Sequence, residues 1–404
     1  MKVLYCNPIF FEYRLPFYKK LVELFSGEFY VMYSPIRYKL CHKENFCKQI
    51  KEELGENAVE MRSEHLFDTN SMKCDEMPDI EKGKRIPLIR GLLRAIGKVK
   101  PDILITEGYF QWTPLVLLYS WLHHVPVYMG YERTCWTERN CHGLKLYQRK
   151  LFNKWFAGFI VNGSETRKYL RSIGVEDERI FVGGMSADSS KLKEIVAKIR
   201  LSNKIINAID STILLKNSKQ SQNIEIKNSL TFLFTGVVAE RKGIKFLLEA
   251  WIDHVIKHRE DELVIVGDGN QLEECKMLMK DVDSVKFAGR VPYEQMGEQY
   301  AHADVYILPT IEDNWSLVIP EAMACGLPVA TSIYNGCHPE LIKEGVNGWT
   351  FDTFKHESIV EVLDKFHHAD LKAMGEESIK IEEPFNAENS AQRMYNALTR
   401  KNED

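Results

Sequence analysis

The chain has 404 residues, of which 45% are hydrophobic and 27% charged, enough to bury two cores, and its length suggests two or three domains. Its net charge of −4 and pI near 6.3 give no general attraction to nucleic acid, and none is expected as a partner. Nine cysteines, an odd number without CxxC spacing, fit reduced thiols and argue against a metal site. The opening run MKVLYCNPIFF reads as a strand rather than a secretory leader. The most apolar stretch, Leu115 to Met129, is interrupted by His123, His124 and Pro126 and is too short for a bilayer, so a cytoplasmic location is expected.

In the first half, strands are predicted at Lys2 to Cys6, Phe29 to Tyr33, Asp102 to Thr106, Val125 to Met129, Phe159 to Asn162 and Ile180 to Val182. Helices fall between them near Leu15 to Phe25, Leu88 to Val99, Leu144 to Trp155 and Glu165 to Ile173. Residues Ala187 to Asn228 then carry scattered Ser, Asn and Lys with weak periodicity, as a linker or excursion would. A second alternation starts at Leu230 with TFLFTGV and continues through Gly243 to His258, ELVIVGDG, Leu272 to Met279, VKFAGRV and Tyr293 to His302. Strands alternating with helices imply parallel sheets covered by helices, and two Rossmann-like halves facing a cleft are the simplest architecture. The expected division is 1–185, a linker at 186–229, 230–385, and a final helix at 386–404.

The richest segment follows. Asp304 to Pro309 is an apolar run of strand length, Glu312 and Asp313 come after it, and Trp315, Leu317, Val318, Ala322 and Met323 fit helical spacing. Asn314 or Asp313 can cap that helix, Gly326 and Pro328 stop it, and Pro320 must lie in its first turn, so it begins no earlier than about Ser316. A helix start at a strand end offers unpaired N–H donors to an anion, and diphosphate is the natural guest. Asp313 and Glu321 flank it, about 12 Å apart if one helix carried both. That is roughly the span of a nucleotide sugar from hexose to ribose.

Asp313, seven residues, Glu321 and then AMACGLPV resembles family 4 of the retaining glycosyltransferases, whose pattern is Glu, seven residues, Glu, then Ala-Met-Ala-x-Gly-x-Pro-Val. The resemblance implies the GT-B fold, with the first half on the acceptor side, the second half binding the nucleotide sugar, and the last helix returning to the first half. It implies transfer of a sugar from a UDP- or GDP-linked donor to a glycan or lipid-linked acceptor, often in cell-surface polysaccharide synthesis, with no cofactor and no metal. Here the first acid is Asp rather than Glu, and Glu312 is the alternative contact to the sugar. Gly236 to Gly243, GVVAERKG, matches the family's diphosphate loop, with Lys242 in place, Val237 where an Arg is usual, and Arg241 as the replacement cation. The resemblance also assigns Gly267 and Gly269 to close backbone approach, Arg290 and Val291 to the base, and Trp315, Ser316, Leu317 and Val318 to the donor. The charge of the leaving diphosphate would fall to Lys242, Arg241 and the helix start.

The first half carries less. Arg14 is either a phosphate contact or a surface residue at a helix start. Family members place a histidine after the strand VPVYM, where this chain has Tyr131 and Glu132, so Glu132 is the candidate acid. Glu107-Gly-Tyr109 follows DILIT and is a second candidate lining. Lys82 to Lys100 holds seven basic residues and an apolar face. It fits a membrane-surface helix or, the preferred reading, a sheet-covering helix whose cations face water. The departures from the family pattern keep two other classes open: a non-catalytic GT-B binding subunit, and a GT-B epimerase or phosphorylase.

Overall fold

The computed structural model describes residues 1–67, 86–89, 91–184, 189–202 and 229–399. They form two compact units, Met1–Ala187 with Phe385–Asp404, and Asp188–Pro384.

In the first unit the strands are β1 (Val3–Cys6), β2 (Phe29–Tyr33), β3 (Ala58–Glu60), β4 (Glu64–Phe67), β5 (Ile86–Ile89), β6 (Ile103–Glu107), β7 (Val127–Tyr131), β8 (Gly158–Val161) and β9 (Ile180–Val182). Seven of them make one parallel sheet in the order β3-β2-β1-β6-β7-β8-β9, while β4 and β5 pair antiparallel. Runs such as VLYC and GFIV are apolar throughout because both faces of the sheet are covered. The helices are α1 (Leu15–Leu24), α2 (Pro35–Leu40), α3 (Glu44–Leu54), α4 (Leu92–Val99), α5 (Thr113–His123), α6 (Gly143–Phe152) and α7 (Ser164–Ser172). Residues of α4 to α7 pack into one core on one sheet face, and residues of α1 to α3 into another.

The second unit opens with a helix at 190–202, α8. The linker expected at 186–229 is therefore corrected over this stretch. Leu192 and Val196 are buried, and the Arg200 guanidinium donates to the Cys325 carbonyl at 2.8 Å. Leu192, Ile195, Val196 and Ile199 do follow helical spacing, but the Ser, Asn and Lys around them mask it. The remainder of that linker, 203–228, lies outside the described residues.

The second sheet holds β10 (Thr231–Thr235), β11 (Glu262–Val266), β12 (Val285–Gly289), β13 (Val305–Leu308), β14 (Val329–Ser332) and β15 (Gly348–Phe351), all parallel, in the order β12-β11-β10-β13-β14-β15. Its helices are α9 (Ile244–Lys257), α10 (Leu272–Leu278), α11 (Met296–His302), α12 (Val318–Ala324), α13 (His338–Leu341), α14 (His356–Lys365) and α15 (Leu371–Glu382). The chain returns to the first unit as α16 (Ala387–Thr399), where Ala391, Met394 and Leu398 join the core that holds α1.

Each sheet reverses its winding once, between β1 and β6 and between β10 and β13. Loops leaving two such strands diverge to opposite faces and leave a crevice at the carboxyl ends, the usual ligand position in open parallel sheets. No helix among the described residues is long and apolar enough to cross a membrane.

Candidate active site at the strand ends of the second unit

Beyond β10, β11 and β12 the backbone is drawn tightly together. Gly236, Gly267 and Gly269 have φ of 141°, 148° and 159°, open to glycine and rare for other residues. A Cβ on Gly267 would collide with the Gly236 carbonyl, and one on Gly269 with the Val238 carbonyl. Backbone bonds lace the loops: Gly236 N–H donates to Val266, Val238 N–H to Asp268 and Gly267 N–H to Gly289, at 2.8–2.9 Å. The sequence reading took these glycines as points of backbone approach to a nucleotide. What they visibly permit is close approach of the loops to one another.

Lys242 and Asp313 meet at the winding reversal. Lys242 Nζ donates to Asp313 Oδ2 at 2.6 Å, joining the loop after β10 to the loop after β13 across 71 residues of chain. Ser316 Oγ donates to the same oxygen at 2.6 Å, and Trp315 N–H to Oδ1 at 3.2 Å. Pairing of Asp313 with Asn335 along the backbone fixes the other side, and buried Asn335 receives the Ser316 N–H. Burial pushes the Asp313 carboxyl up, but Lys242, the Ser316 hydroxyl and Arg241 outweigh it and hold it below the ordinary carboxylate range. The side chains of Lys242 and Asp313 keep 10% and 14% exposure, so both are largely sheltered from solvent screening.

Arg241 acts on this loop also through its backbone. Its carbonyl receives Ile311 N–H and Thr310 Oγ1, each at 2.9 Å. Gly243, at φ 65°, lies against the Pro309 carbonyl, where a side chain would not fit. The cationic loop is thereby fastened to the end of β13.

The helix is capped otherwise than expected. α12 starts at Val318 with Leu317 as N-cap and no capping side chain, so neither Asp313 nor Asn314 caps it. Asp313 instead bonds the N–H two residues on, an Asx turn ahead of the helix. The 12 Å estimate therefore loses its basis, because the chain between Asp313 and Leu317 is not helical. Glu321 lies on α12, where the buried Tyr300 hydroxyl donates to its Oε2 at 3.2 Å. Burial, reinforced by Glu321, raises the Cys325 thiol to about 12, so it stays protonated and inert. Trp315 and Ser316 are buried, Leu317 and Val318 partly so. Val291 is half-buried and Arg290 exposed, both just past β12. Tyr300 and Asn335 were missed in the sequence; only the Asn335-Gly336 turn pair gave a signal for either.

Arg14 and Glu132 lie in the first unit. Arg14 is buried, which removes the surface-residue reading, and its Nη1 donates to the Gly184 carbonyl at 2.6 Å. Nη2 lies 3.7 Å from Glu107, which also receives the Tyr5 hydroxyl, while Tyr13 lies in the electrostatic reach of Arg14, Glu107 and Glu132. The Glu132 carbonyl accepts Thr166 Oγ1 at 2.9 Å. In α4, Leu92 and Ile96 are buried in the core while Arg94 and Lys98 are exposed, the sheet-covering arrangement; residues 82–85 and 90 lie outside the described residues.

A metal-ligating combination that no sequence spacing reveals lies at the opposite strand ends. Asp261, just before β11, accepts from His254 at 2.8 Å and His367 at 2.7 Å on one oxygen, and from Leu230 N–H on the other. The three side chains offer ligand atoms within 4.8 Å of one another. Burial lowers the His254 pKa against the pull of Asp261, which favours the neutral imidazole, the form that can ligate a metal.

Comparison with known proteins agrees with this geometry. Residues 229–368, the stretch holding β10 to β15, match the model of the family glycosyl transferases group 1. A glycosyltransferase of Haemophilus influenzae is 32% identical over 168 residues, 40% of this chain and 45% of that protein. The amylovoran biosynthesis glycosyltransferase AmsK of Erwinia amylovora is 28% identical over 156 residues, 35% of this chain and 38% of that protein. The chain thus matches less than half the length of these relatives. The structure of the Anabaena protein HepE in complex with UDP superposes with a TM-score of 0.68 over 99% of this chain and 100% of that one, at 14% identity, a likeness of fold. The fold is that of the GT-B glycosyltransferases, and it is the second unit, over residues 229–368, that resembles the glycosyl transferases group 1.

Proposed function

We propose that this chain is a retaining glycosyltransferase that moves a sugar from a UDP- or GDP-linked donor to a glycan or lipid-linked acceptor in cell-surface polysaccharide synthesis, without a metal. The observation that carries the reading is the Lys242–Asp313 pair, held between the diverging loops after β10 and β13. In the proposed reaction the anomeric C–O bond breaks toward an oxocarbenium-like state, and the acceptor hydroxyl attacks from the face that the diphosphate leaves. Lys242, with Arg241 beside it, takes the charge developing on the leaving oxygen, where a sheltered cation counts for more than in water. Asp313 then accepts from sugar hydroxyls and Glu321 from the ribose, while Arg290 and Val291 border the base. Glu132 and Arg14 belong to the acceptor unit. The reading also includes contact with the inner face of the cell membrane, where a lipid-linked acceptor would be presented.

A panel of UDP- and GDP-sugars incubated with the protein tests it. Slow release of nucleoside diphosphate from one member is the expected result. Tight binding without release in any condition, acceptor included, would make the chain a binding subunit, and the absence of both would end the proposal.

A further inference from the structure

We propose that the outward faces of α6 and α5 form a docking surface for a membrane bearing anionic lipid headgroups. In α6 and the 3-10 turn that extends it to Trp155, Leu144, Tyr147, Leu151 and Trp155 are 83%, 66%, 38% and 56% exposed. Their spacing of three, four and four residues sets all four on one side of the helix. The opposite side is fully used: Leu146 and Phe152 pack on the core, and buried Arg149 ties α6 to Tyr131 at 2.9 Å and Glu138 at 3.0 Å. The helix is therefore pinned by its polar and apolar inward groups, and among the described residues its outward stripe is left to solvent. Single exposed apolar residues need no explanation, but a run of four at helical spacing does.

α5 repeats the pattern beside it. It joins β6 to β7 as α6 joins β7 to β8, on the same sheet face, and Trp121 and Leu122 on it are 73% and 51% exposed. Charge identifies the occupant. From Arg139 to Ser164 the sequence has no Asp or Glu, whereas Lys150 and Lys154 are exposed along the stripe, with Lys145, also exposed, 3.7 Å from buried Glu138. The same is true from Gly108 to Tyr131, where no acid is found. An acid-free, lysine-bearing face on a chain of net charge −4 suits an anionic surface, and a second copy would bring the same cations against it. Tryptophan and tyrosine with lysines around them is the composition of an interfacial helix. The membrane segment sought at Lys82 to Lys100 does not serve, because α4 spends its apolar face on the core.

The test is sedimentation of the full chain with vesicles of phosphatidylcholine, alone or mixed with phosphatidylglycerol. Wild type should bind the mixed vesicles at least about tenfold more tightly than the neutral ones. The triple variant Leu144→Ser, Tyr147→Ser, Trp155→Ser and the double variant Lys150→Glu, Lys154→Glu should each lower that binding about tenfold or more, with an unchanged circular dichroism spectrum. Equal binding to both vesicles, no binding, or wild-type binding by both variants overturns the proposal. So does a dimer in analytical ultracentrifugation that these same substitutions dissociate, which would assign the face to a second copy. The readout needs no substrate, so it stands or falls apart from the donor reading.

Discussion

At the end of β10 the chain turns through glycines, whereas at the end of β1 it turns through aromatic rings. Both strands border the reversal of their sheet, and both ends hold a buried cation near a carboxylate, Lys242 with Asp313 and Arg14 with Glu107. Yet Arg14 is enclosed by its own unit: the Gly184 carbonyl takes one of its nitrogens, Phe17 lies under its guanidinium, and Tyr5 and Tyr18, themselves edge to face, lie within its electrostatic reach. The Lys242 ammonium donates to Asp313, while its loop is tied down through the backbone rather than through that ammonium. The same winding thus makes a closed packing centre in one unit and a charge that can change partners in the other. Topology selects the place, and the lining residues decide the use.

The sharpest way to break this comparison is Lys242→Ala. Turnover of the donor should fall about 10²- to 10³-fold in kcat/KM, with the thermal unfolding transition retained. Normal turnover, or loss of the fold, would remove Lys242 from the chemistry.

The second unit also carries a buried carboxyl of its own. Burial raises Glu382 to about 7, against the Ser189 hydroxyl that donates to it at 3.1 Å. The folded state therefore holds a proton that the unfolded state releases near 4.5. Stability from this group is present below that value and is lost as pH rises toward 7, by about 3 kcal/mol. Denaturant midpoints of wild type and Glu382→Gln at pH 5 and pH 8 should show the pH-dependent difference vanish in the variant.

Gly267→Ala tests whether the glycine turns matter as geometry. At φ 148° and against the Gly236 carbonyl, the methyl should destabilise by roughly 1–3 kcal/mol and weaken donor binding. Gly27→Ala, at φ 84° with nothing within 4 Å, is the control for backbone strain alone, and its unfolding midpoint should move less. The smallest effect on ligand is expected from Arg14→Ala: a stability loss of about 1–2 kcal/mol from the lost bond to the Gly184 carbonyl and the lost cation beside Glu107, with nucleoside diphosphate affinity unchanged. Weakened affinity would put Arg14 back among the donor contacts.

The contrast between the units also explains what the sequence shows. Parallel strands buried on both faces stand out as short apolar runs, so the alternation and the two sheets are legible. Lys242, Asp313 and the glycines lie in loops whose local composition marks them. Tyr5 and Tyr18 look ordinary one by one, and only the pairing of β1 with β6 brings Tyr5 to Glu107. The same holds for His254 and His367, which meet on Asp261 across about a quarter of the chain. α12 begins after Ser316 as expected, but its cap is not Asp313, which bonds a local N–H in a turn, a use that from sequence looks the same as a helix cap.

Titration of UDP and of GDP into the folded protein and into folded Lys242→Ala addresses the central claim most directly. Saturable binding of one of them by wild type, at least about tenfold weaker in the variant, is the predicted result. Binding that the substitution leaves unchanged would contradict it.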